Sequence, residues 1–327
     1  MFKDVMLELT YRCNLRCSFC YLAPDGRLNR RGGELDAGDW SRIISRFKAG
    51  TRFYLSGGEP LMRRDIFEII GFIKKSGSSF GLNTNGTLLN AAKAARLATL
   101  KPDYVIFSLH GSEAVHDRLT GMKGSWRALM DNMKRFVSLS DHSTEVIVNC
   151  VINRGNAGEL AKVYRAGRDA GADRVVFEHL QFLKPEEAAV TSTMLRSGGI
   201  ITPLLENYGA DAAVINRQLA AISRMDPHGP DGRSVHFETR PLMGVKQLEL
   251  YYNDVISPVG GCARVMDTLN VEPDGSIRLC VLYGLKAGNA LTADLKKVLS
   301  LKKKHIGSDL PSGCARCCHR FQLFRYF

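Results

Sequence analysis

Residues 5–20 read VMLELTYRCNLRCSFC. The β-prone run Val5 to Leu9 ends in a loop that carries Cys13, Cys17 and Cys20 at CxxxCxxC spacing. A strand would send alternate side chains to opposite faces, whereas a loop lets three sulfurs converge on one centre. The count of three is informative. A closed structural site uses four ligands, and a reactive one keeps a coordination position open. On spacing alone the alternatives are a zinc site with a distant fourth ligand, or three unrelated buried cysteines.

Working outward, the strand-then-helix pattern repeats. Residues 36–49 place Trp40, Ile43, Ile44 and Phe47 at helical spacing behind Asp36. Strand-like runs follow at Arg52 to Leu55, Phe80 to Asn83, Asp103 to Leu109, Val146 to Ile152 and Arg174 to Leu180. Between them lie helical patterns with Ile66, Phe67, Ile70 and Ile73 inward, an Ala-rich stretch at 90–99, a helix capped at Ser125, and a helix at 157–170. Six such units with short connections predict a parallel sheet, because each helix must carry the chain back across the sheet face. In such folds the loops at the C-terminal strand ends build the site. Gly57-Gly58-Glu59-Pro60, Thr84-Asn85-Gly86-Thr87 and Ser108-Leu109-His110-Gly111 all fall at those ends. Paired glycines there let backbone groups approach a ligand.

The chain has 327 residues, a net charge of +12 and nine cysteines. The length allows about two domains. Hydrophobic content of 45% and charged content of 24% exclude disorder as a main theme. No run approaches the roughly 18 apolar residues of a membrane span, and no secretory segment opens the chain. The expectation is a cytoplasmic protein with no membrane partner, whose thiols serve metal or redox chemistry rather than disulfides. The basic surplus fits a nucleic-acid partner or simply a soluble surface. Its best patch is Lys286, Lys296, Lys297, Lys302, Lys303, Lys304 and His305. No nucleic-acid fold accompanies it, so nucleic acid is disfavoured.

Residues 186–232 read as helical and close on the breaker run Asp226-Pro227-His228-Gly229-Pro230. The remainder, 233–327, holds strand-like runs near 235–239 and 247–252 and a hairpin from Thr268 to Cys280 that turns at Pro273-Asp274-Gly275. It also holds a second cysteine set: Cys262, Cys280, Cys314 and Cys317, with Cys318 adjacent. Four cysteines including a CxxC pair also fit a structural zinc knot. Cys150, mid-strand among apolar residues, reads as a buried small hydrophobe.

CxxxCxxC after the first strand, GGEP after the second and TNGT after the third resemble the signature of the radical S-adenosylmethionine (radical SAM) superfamily. The resemblance covers essentially the whole chain. It implies an α/β fold: a partial (β/α)6 TIM-like barrel over 1–185, a helical connector over 186–232 and a small C-terminal α+β domain over 233–327. That last domain is similar to the twitch/SPASM auxiliary-cluster module. Cys13, Cys17 and Cys20 would hold a [4Fe–4S] cluster whose fourth iron is chelated by SAM. Gly57, Gly58 and Glu59 would receive the SAM amino group, and Phe19 and Leu180 would lie against the adenine. Thr84, Ser108 and Asn149 match positions that contact the carboxylate and ribose. Ile147 stands where some relatives carry a basic partner for the SAM carboxylate, with Arg154 a candidate substitute. Cys262, Cys280, Cys314 and Cys317 would hold one auxiliary [4Fe–4S] cluster, with Cys318 as an alternative last ligand. Leu323 and Phe327 stand where a full SPASM module continues with cysteines.

The implied activity is that of a radical SAM oxidoreductase. SAM is cleaved reductively to a 5′-deoxyadenosyl radical, which takes hydrogen from a small-molecule substrate such as a natural-product precursor. The auxiliary cluster accepts the substrate's electron, and a flavodoxin- or ferredoxin-type reductant supplies the first one. Alternatives are maturation of a ribosomally made peptide, transfer of the SAM aminocarboxypropyl group, and a non-enzymatic zinc or iron–sulfur protein on nucleic acid. A first strand starting by residue 5 leaves no room for an N-terminal leader-binding domain, which favours the small molecule. His110, Glu178 and His179 are the catalytic candidates at strand ends, with Asp117 and Arg118 as further substrate contacts.

Overall fold

The computed structural model describes residues 2–24, 26–30, 32–182, 184, 209–253, 268–280 and 285–305. The first six parallel strands are β1 (Asp4–Thr10), β2 (Arg52–Gly57), β3 (Ser79–Thr84), β4 (Tyr104–Ser108), β5 (Glu145–Ile152) and β6 (Arg174–His179). Between them run α1 (Ala37–Ile44), α2 (Ile66–Lys75), α3 (Ala91–Thr99), α4 (Glu113–Thr120), α5 (Ser125–Leu139) and α6 (Leu160–Asp169). The expected six units are therefore present, with α4 an extra helix in the fourth connection.

Asp36 caps α1 by accepting from the Asp39 amide, and Asn90 caps α3 by accepting from the Lys93 amide. The α5 cap differs from the expected Ser125. The N-cap is Gly124, and the Asp117 carboxylate of α4 accepts from the amides of Gly124 and Trp126 and from the Ser125 hydroxyl. A carboxylate at a helix N-terminus also meets the positive end of the dipole.

Beyond residue 185 the described chain contains α7 (Ala212–Ile222), β7 (His236–Arg240), α8 (Val245–Asn253), β8 (Thr268–Val271), β9 (Ser276–Arg278), β10 (Lys286–Asn289) and α9 (Leu295–His305). The run near 247–252 is helical, not a strand. Leu248, Tyr251 and Tyr252 recur at helical spacing and are all buried. The run near 235–239 is β7, which pairs in parallel with β6. β8 pairs in parallel with β1 on the other side. The strand order is β10-β9-β8-β1-β2-β3-β4-β5-β6-β7. Strands from beyond residue 232 thus continue the barrel sheet at both edges. Among the described residues no helix is long and apolar enough to cross a membrane.

The fold is an α/β, TIM-like partial barrel with two unequal cores. Outward strand side chains such as Phe53, Leu82, Phe107 and Val148 pack with helix residues Ile43, Ile70, Leu129 and Phe136 in one large cluster. Each fully buried phenylalanine contributes roughly 1.5–3 kcal/mol. The inner face carries a smaller cluster of Tyr104, Ile106, Ile147 and Val176, with Tyr54 against it. Room for it comes from Gly81, where a Cβ would lie 2.0 Å from the Tyr104 ring.

That contact is testable. Gly81→Ala should cost about 1–3 kcal/mol in urea unfolding, as overpacking does. Adding Tyr104→Leu should remove most of the Gly81→Ala penalty, because the two positions share one space. A full penalty in the double variant would place the strain elsewhere.

Candidate active site

The cysteine loop is fastened from several sides. The amides of Arg16 and Ser18 donate to the carbonyls of Thr120 and Leu119 at 2.8 and 2.9 Å, so the loop docks on the C-terminal end of α4. The Cys13 amide donates to Asn29 Oδ1 at 3.0 Å. The Leu15 amide reaches Cys13 Sγ at 3.4 Å, and Asn85 Nδ2 reaches it at 3.9 Å. Donors to sulfur favour a thiolate or a cluster-bound sulfide. All three thiols are half-buried. Burial first, and the neighbouring Cys20 with it, pushes Cys13 up to about 11 and Cys17 up to about 12. A metal must displace the thiol protons on binding. Among the described residues no three His, Cys, Asp or Glu side chains converge as ligands of a single ion do.

The GGEP turn presses on the same loop. Gly57 has φ 125°, and a Cβ there would lie 2.3 Å from the Thr10 carbonyl oxygen. A Cβ on Gly58 would lie 2.3 Å from the Arg12 carbonyl oxygen. The Gly58 and Glu59 amides donate to those two carbonyls at 2.7 and 2.8 Å. The close approach expected of this glycine pair is thus made to the chain's own backbone, just before Cys13. Glu59 is fully buried. Its carboxylate accepts from the Leu61 amide at 3.0 Å, Thr84 Oγ1 at 2.8 Å and the Asn85 amide at 2.7 Å. Burial pushes its pKa up against those hydrogen bonds. The Thr84 hydroxyl is held by Glu59 and by the Gly86 amide. Asn85 Nδ2 also donates to Asn14 Oδ1 at 2.9 Å, which ties the TNGT loop to the cysteine loop.

Phe19, Leu119 and Leu180 form a third apolar cluster, with Cys17, Val115 and Val151 against it. Phe19 and Leu180 are therefore neighbours. The His110 ring stands edge-on to Phe19 at 4.7 Å and stacks on His116 at 5.8 Å. The Val151 amide donates to His110 Nδ1 at 3.3 Å, which leaves the ring proton on Nε2. Burial drives His110 well below its ordinary range, so the ring is neutral. Ser108 and Asn149 are in register at the ends of β4 and β5. Asn149 Nδ2 donates to Glu178 at 3.3 Å, while its buried Oδ1 has no hydrogen-bond partner among the described residues. That acceptor awaits a donor, as a ribose hydroxyl or ammonium would supply.

His179 requires a correction. Strand alternation sends Glu178 inward and His179 outward. His179 Nδ1 meets the Tyr252 hydroxyl at 2.8 Å, and its ring packs against Tyr251 and Tyr252 of α8. Asp117 serves the α5 cap, and Arg118 donates to the Gly155 carbonyl at 3.1 Å. Ile147 lies in the inner cluster, and Arg154 is exposed. Sequence reasoning missed Arg63, a buried side chain whose guanidinium donates to the Leu9 and Leu35 carbonyls at 2.9 Å. A charge set within the run Pro60 to Phe67 was the available signal. Cys280 is buried after β9. Cys262, Cys314, Cys317 and Cys318 lie outside the described residues.

Residues 7–164 match the model of the radical SAM superfamily. The chain is 32% identical over 181 residues to the PqqA peptide cyclase of Methylobacterium sp. (strain 4-46), covering 54% of this chain and 46% of that protein. It is 29% identical to the Fe-coproporphyrin III synthase of Methanosarcina barkeri, covering 54% and 44%. The chain spans about half the length of the curated relatives it matches. In fold it is similar to Streptococcus suis SuiB bound to S-adenosylmethionine, with a TM-score of 0.65 and 18% identity, over 97% of this chain and 68% of that one. SuiB has also been solved with its precursor peptide SuiA, where the TM-score is 0.63.

Two buried histidines yield a pH signature. Burial lowers His116 to about 4 and His179 to about 3, below the roughly 6.5 of an unfolded chain. Between those values the unfolded state binds protons that the folded state refuses. Stability is therefore complete above about pH 6.5 and falls as pH drops, by up to about 1.4 kcal/mol per unit for each ring. Urea titrations of cluster-free chain at pH 7 and pH 5 should show the loss, and His179→Gln should reduce it. An unchanged slope would mean that His179 is charged in the fold.

Proposed function

From a chain that carries a radical SAM domain over residues 7–164, we propose a radical SAM enzyme that modifies a peptide. The observation that carries this reading is the meeting of three motifs at one end of the sheet. The Cys13 thiol touches the TNGT loop through Asn85, and GGEP clamps the backbone just before the cysteine loop. In this reading Cys13, Cys17 and Cys20 hold the [4Fe–4S] cluster, whose chemistry, with SAM bound, is to deliver one electron and generate a hydrogen-abstracting reagent.

The chain's own residues do the positioning. Glu59, its carboxyl fixed by three hydrogen bonds, would receive an ammonium group together with Gly57 and Gly58. Phe19, Leu180 and Val151 offer an apolar wall that suits an adenine ring and excludes water. Asn149 Oδ1 and Ser108 lie where polar ligand groups need partners, while Thr84 acts by holding Glu59. Glu178, on the inner face, is the candidate proton acceptor. Neutral His110 has Nδ1 engaged and acts only as a donor through Nε2.

For the substrate, a relative named for peptide cyclisation and a fold neighbour solved with a precursor peptide support a peptide. A small molecule is the second reading, supported by the relative named for coproporphyrin chemistry. Cys280, with Cys262, Cys314 and Cys317, is proposed to hold one auxiliary [4Fe–4S] cluster that accepts an electron from the substrate. A flavodoxin- or ferredoxin-type protein is the proposed reductant.

Anaerobic reconstitution should yield about eight irons per chain, the sum of two four-iron clusters. Reduction in the presence of SAM should release 5′-deoxyadenosine. Cys17→Ala should abolish that release. Cys280→Ala should spare it while stopping substrate turnover. Bound zinc with no SAM cleavage would overturn the enzyme reading. Offered a peptide encoded beside its gene, the enzyme should change that peptide's mass. Turnover of a small molecule alone would favour the second reading.

A further inference from the structure

A cluster of buried charges, flanked by the half-buried Tyr11 ring and the exposed Tyr21 ring, lies against the cysteine loop, outside the cofactor positions assigned above. Tyr11 precedes Cys13 by two residues, and Tyr21 directly follows Cys20, so the two tyrosines bracket the cysteines. Each donates its hydroxyl to a buried carboxylate. Tyr21 reaches Glu8 of β1 at 2.8 Å, and Tyr11 reaches Glu272, between β8 and β9, at 2.7 Å. Arg27, from the same loop, lies between the two rings, its guanidinium carbon 5.3 Å from the Tyr11 centroid and 5.6 Å from that of Tyr21. One of its nitrogens is 3.7 Å from Glu8 and 3.8 Å from Glu272. Arg278 of β9 pairs with Glu272 as well. Glu8, Arg27, Glu272 and Arg278 are exposed by only 7%, 7%, 3% and 5%.

We propose that Glu272 is a positioning residue for the three-cysteine loop, acting through Tyr11 and Arg27, so that the C-terminal hairpin is a structural part of the cluster site. The inference rests on reading Cys13, Cys17 and Cys20 as cluster ligands. Its physical basis is mutual dependence. Two carboxylates buried side by side repel each other unless cations lie between them, and Arg27 comes from the loop while Arg278 comes from the hairpin. Arg27 faces both carboxylates, so the loop's cation is shared with the hairpin. Whatever orders one therefore orders the other, and the coupling is reciprocal. Arg278 stands two residues before Cys280, so the same tether reaches that cysteine.

Glu272→Gln keeps the volume and removes the charge. In cluster-free chain, hydrogen exchange over residues 11–21 should rise while β3 to β5 stay protected as in the wild type. In reconstituted chain, iron that responds to SAM in electron paramagnetic resonance should be lost to a chelator about tenfold faster, the scale of effect of outer-shell partners of metal ligands. Lys286→Ala, which removes the exposed cation 3.0 Å from the same carboxylate, should leave both readouts unchanged. If Glu272→Gln fails to fold, Tyr11→Phe removes only the hydroxyl and should shift exchange over 11–21 in the same direction. Unchanged exchange there, or an equal rise throughout β3 to β5, would overturn the tether. A wild-type chain that takes up no iron would instead overturn the cluster reading and leave the exchange result to judge the tether by itself.

Discussion

Everything at the site depends on one backbone contact, the approach of the β2 end to the run Thr10–Arg12. Two amides of the GGEP turn donate to two carbonyls of that run, at a distance only glycine allows. The contact sets the direction in which the chain leaves β1 and so where Cys13 begins its loop. It also drives Glu59 inward. Once there, a carboxylate must be hydrogen-bonded, and the Thr84 hydroxyl and Asn85 amide of the next strand end supply the bonds. Asn85 in turn touches Cys13. Three sequence-distant motifs thus form one hydrogen-bonded chain, each link satisfying a group that the previous one buries.

The inner face of the sheet follows a second rule, depth. Its lower part is closed by Tyr54, Tyr104, Ile106, Ile147 and Val176, with Gly81 making room for a ring. Polar groups come at later strand positions: Asn149 on β5 and Glu178 on β6, next to Arg240 of β7 in register. The inner face therefore has an apolar floor and a polar rim. That division keeps water out below while leaving groups above to orient a ligand.

Much of this was legible from residues alone. Alternating strand and helix periods located β1 to β6, and the motifs fell at strand ends because parallel sheets leave only those ends free to carry function. What was not legible depends on tertiary context. The stretch Leu248-Glu249-Leu250-Tyr251-Tyr252 satisfies both a strand and a helix period, and only packing of Leu248, Tyr251 and Tyr252 decides for the helix. Asp117 looks like a site residue until α5 is seen to begin beside it. His179 was readable in principle, since strand alternation forbids it from sharing a face with Glu178. That β7 and β8 join the barrel sheet had no local signal, because strand partners are chosen across the chain.

This last point bears on how the two cysteine sets relate. β8 pairs in parallel with β1, the strand that delivers the first three cysteines, and it runs through Glu272 into the hairpin that ends at Cys280. A strand pair is stiff along its length, and the buried carboxylates on β1 and just after β8 share the guanidinium of Arg27. The C-terminal segment is therefore not an appendage carried beside a finished barrel. Its first strand extends the barrel sheet, and its charges help neutralise the wall behind the cysteine loop. The strand added beside β1 gives the strand that leads into the cysteine loop a neighbour on each side. On that account Cys280 stands at the end of a hairpin whose buried carboxylate the cysteine loop shares.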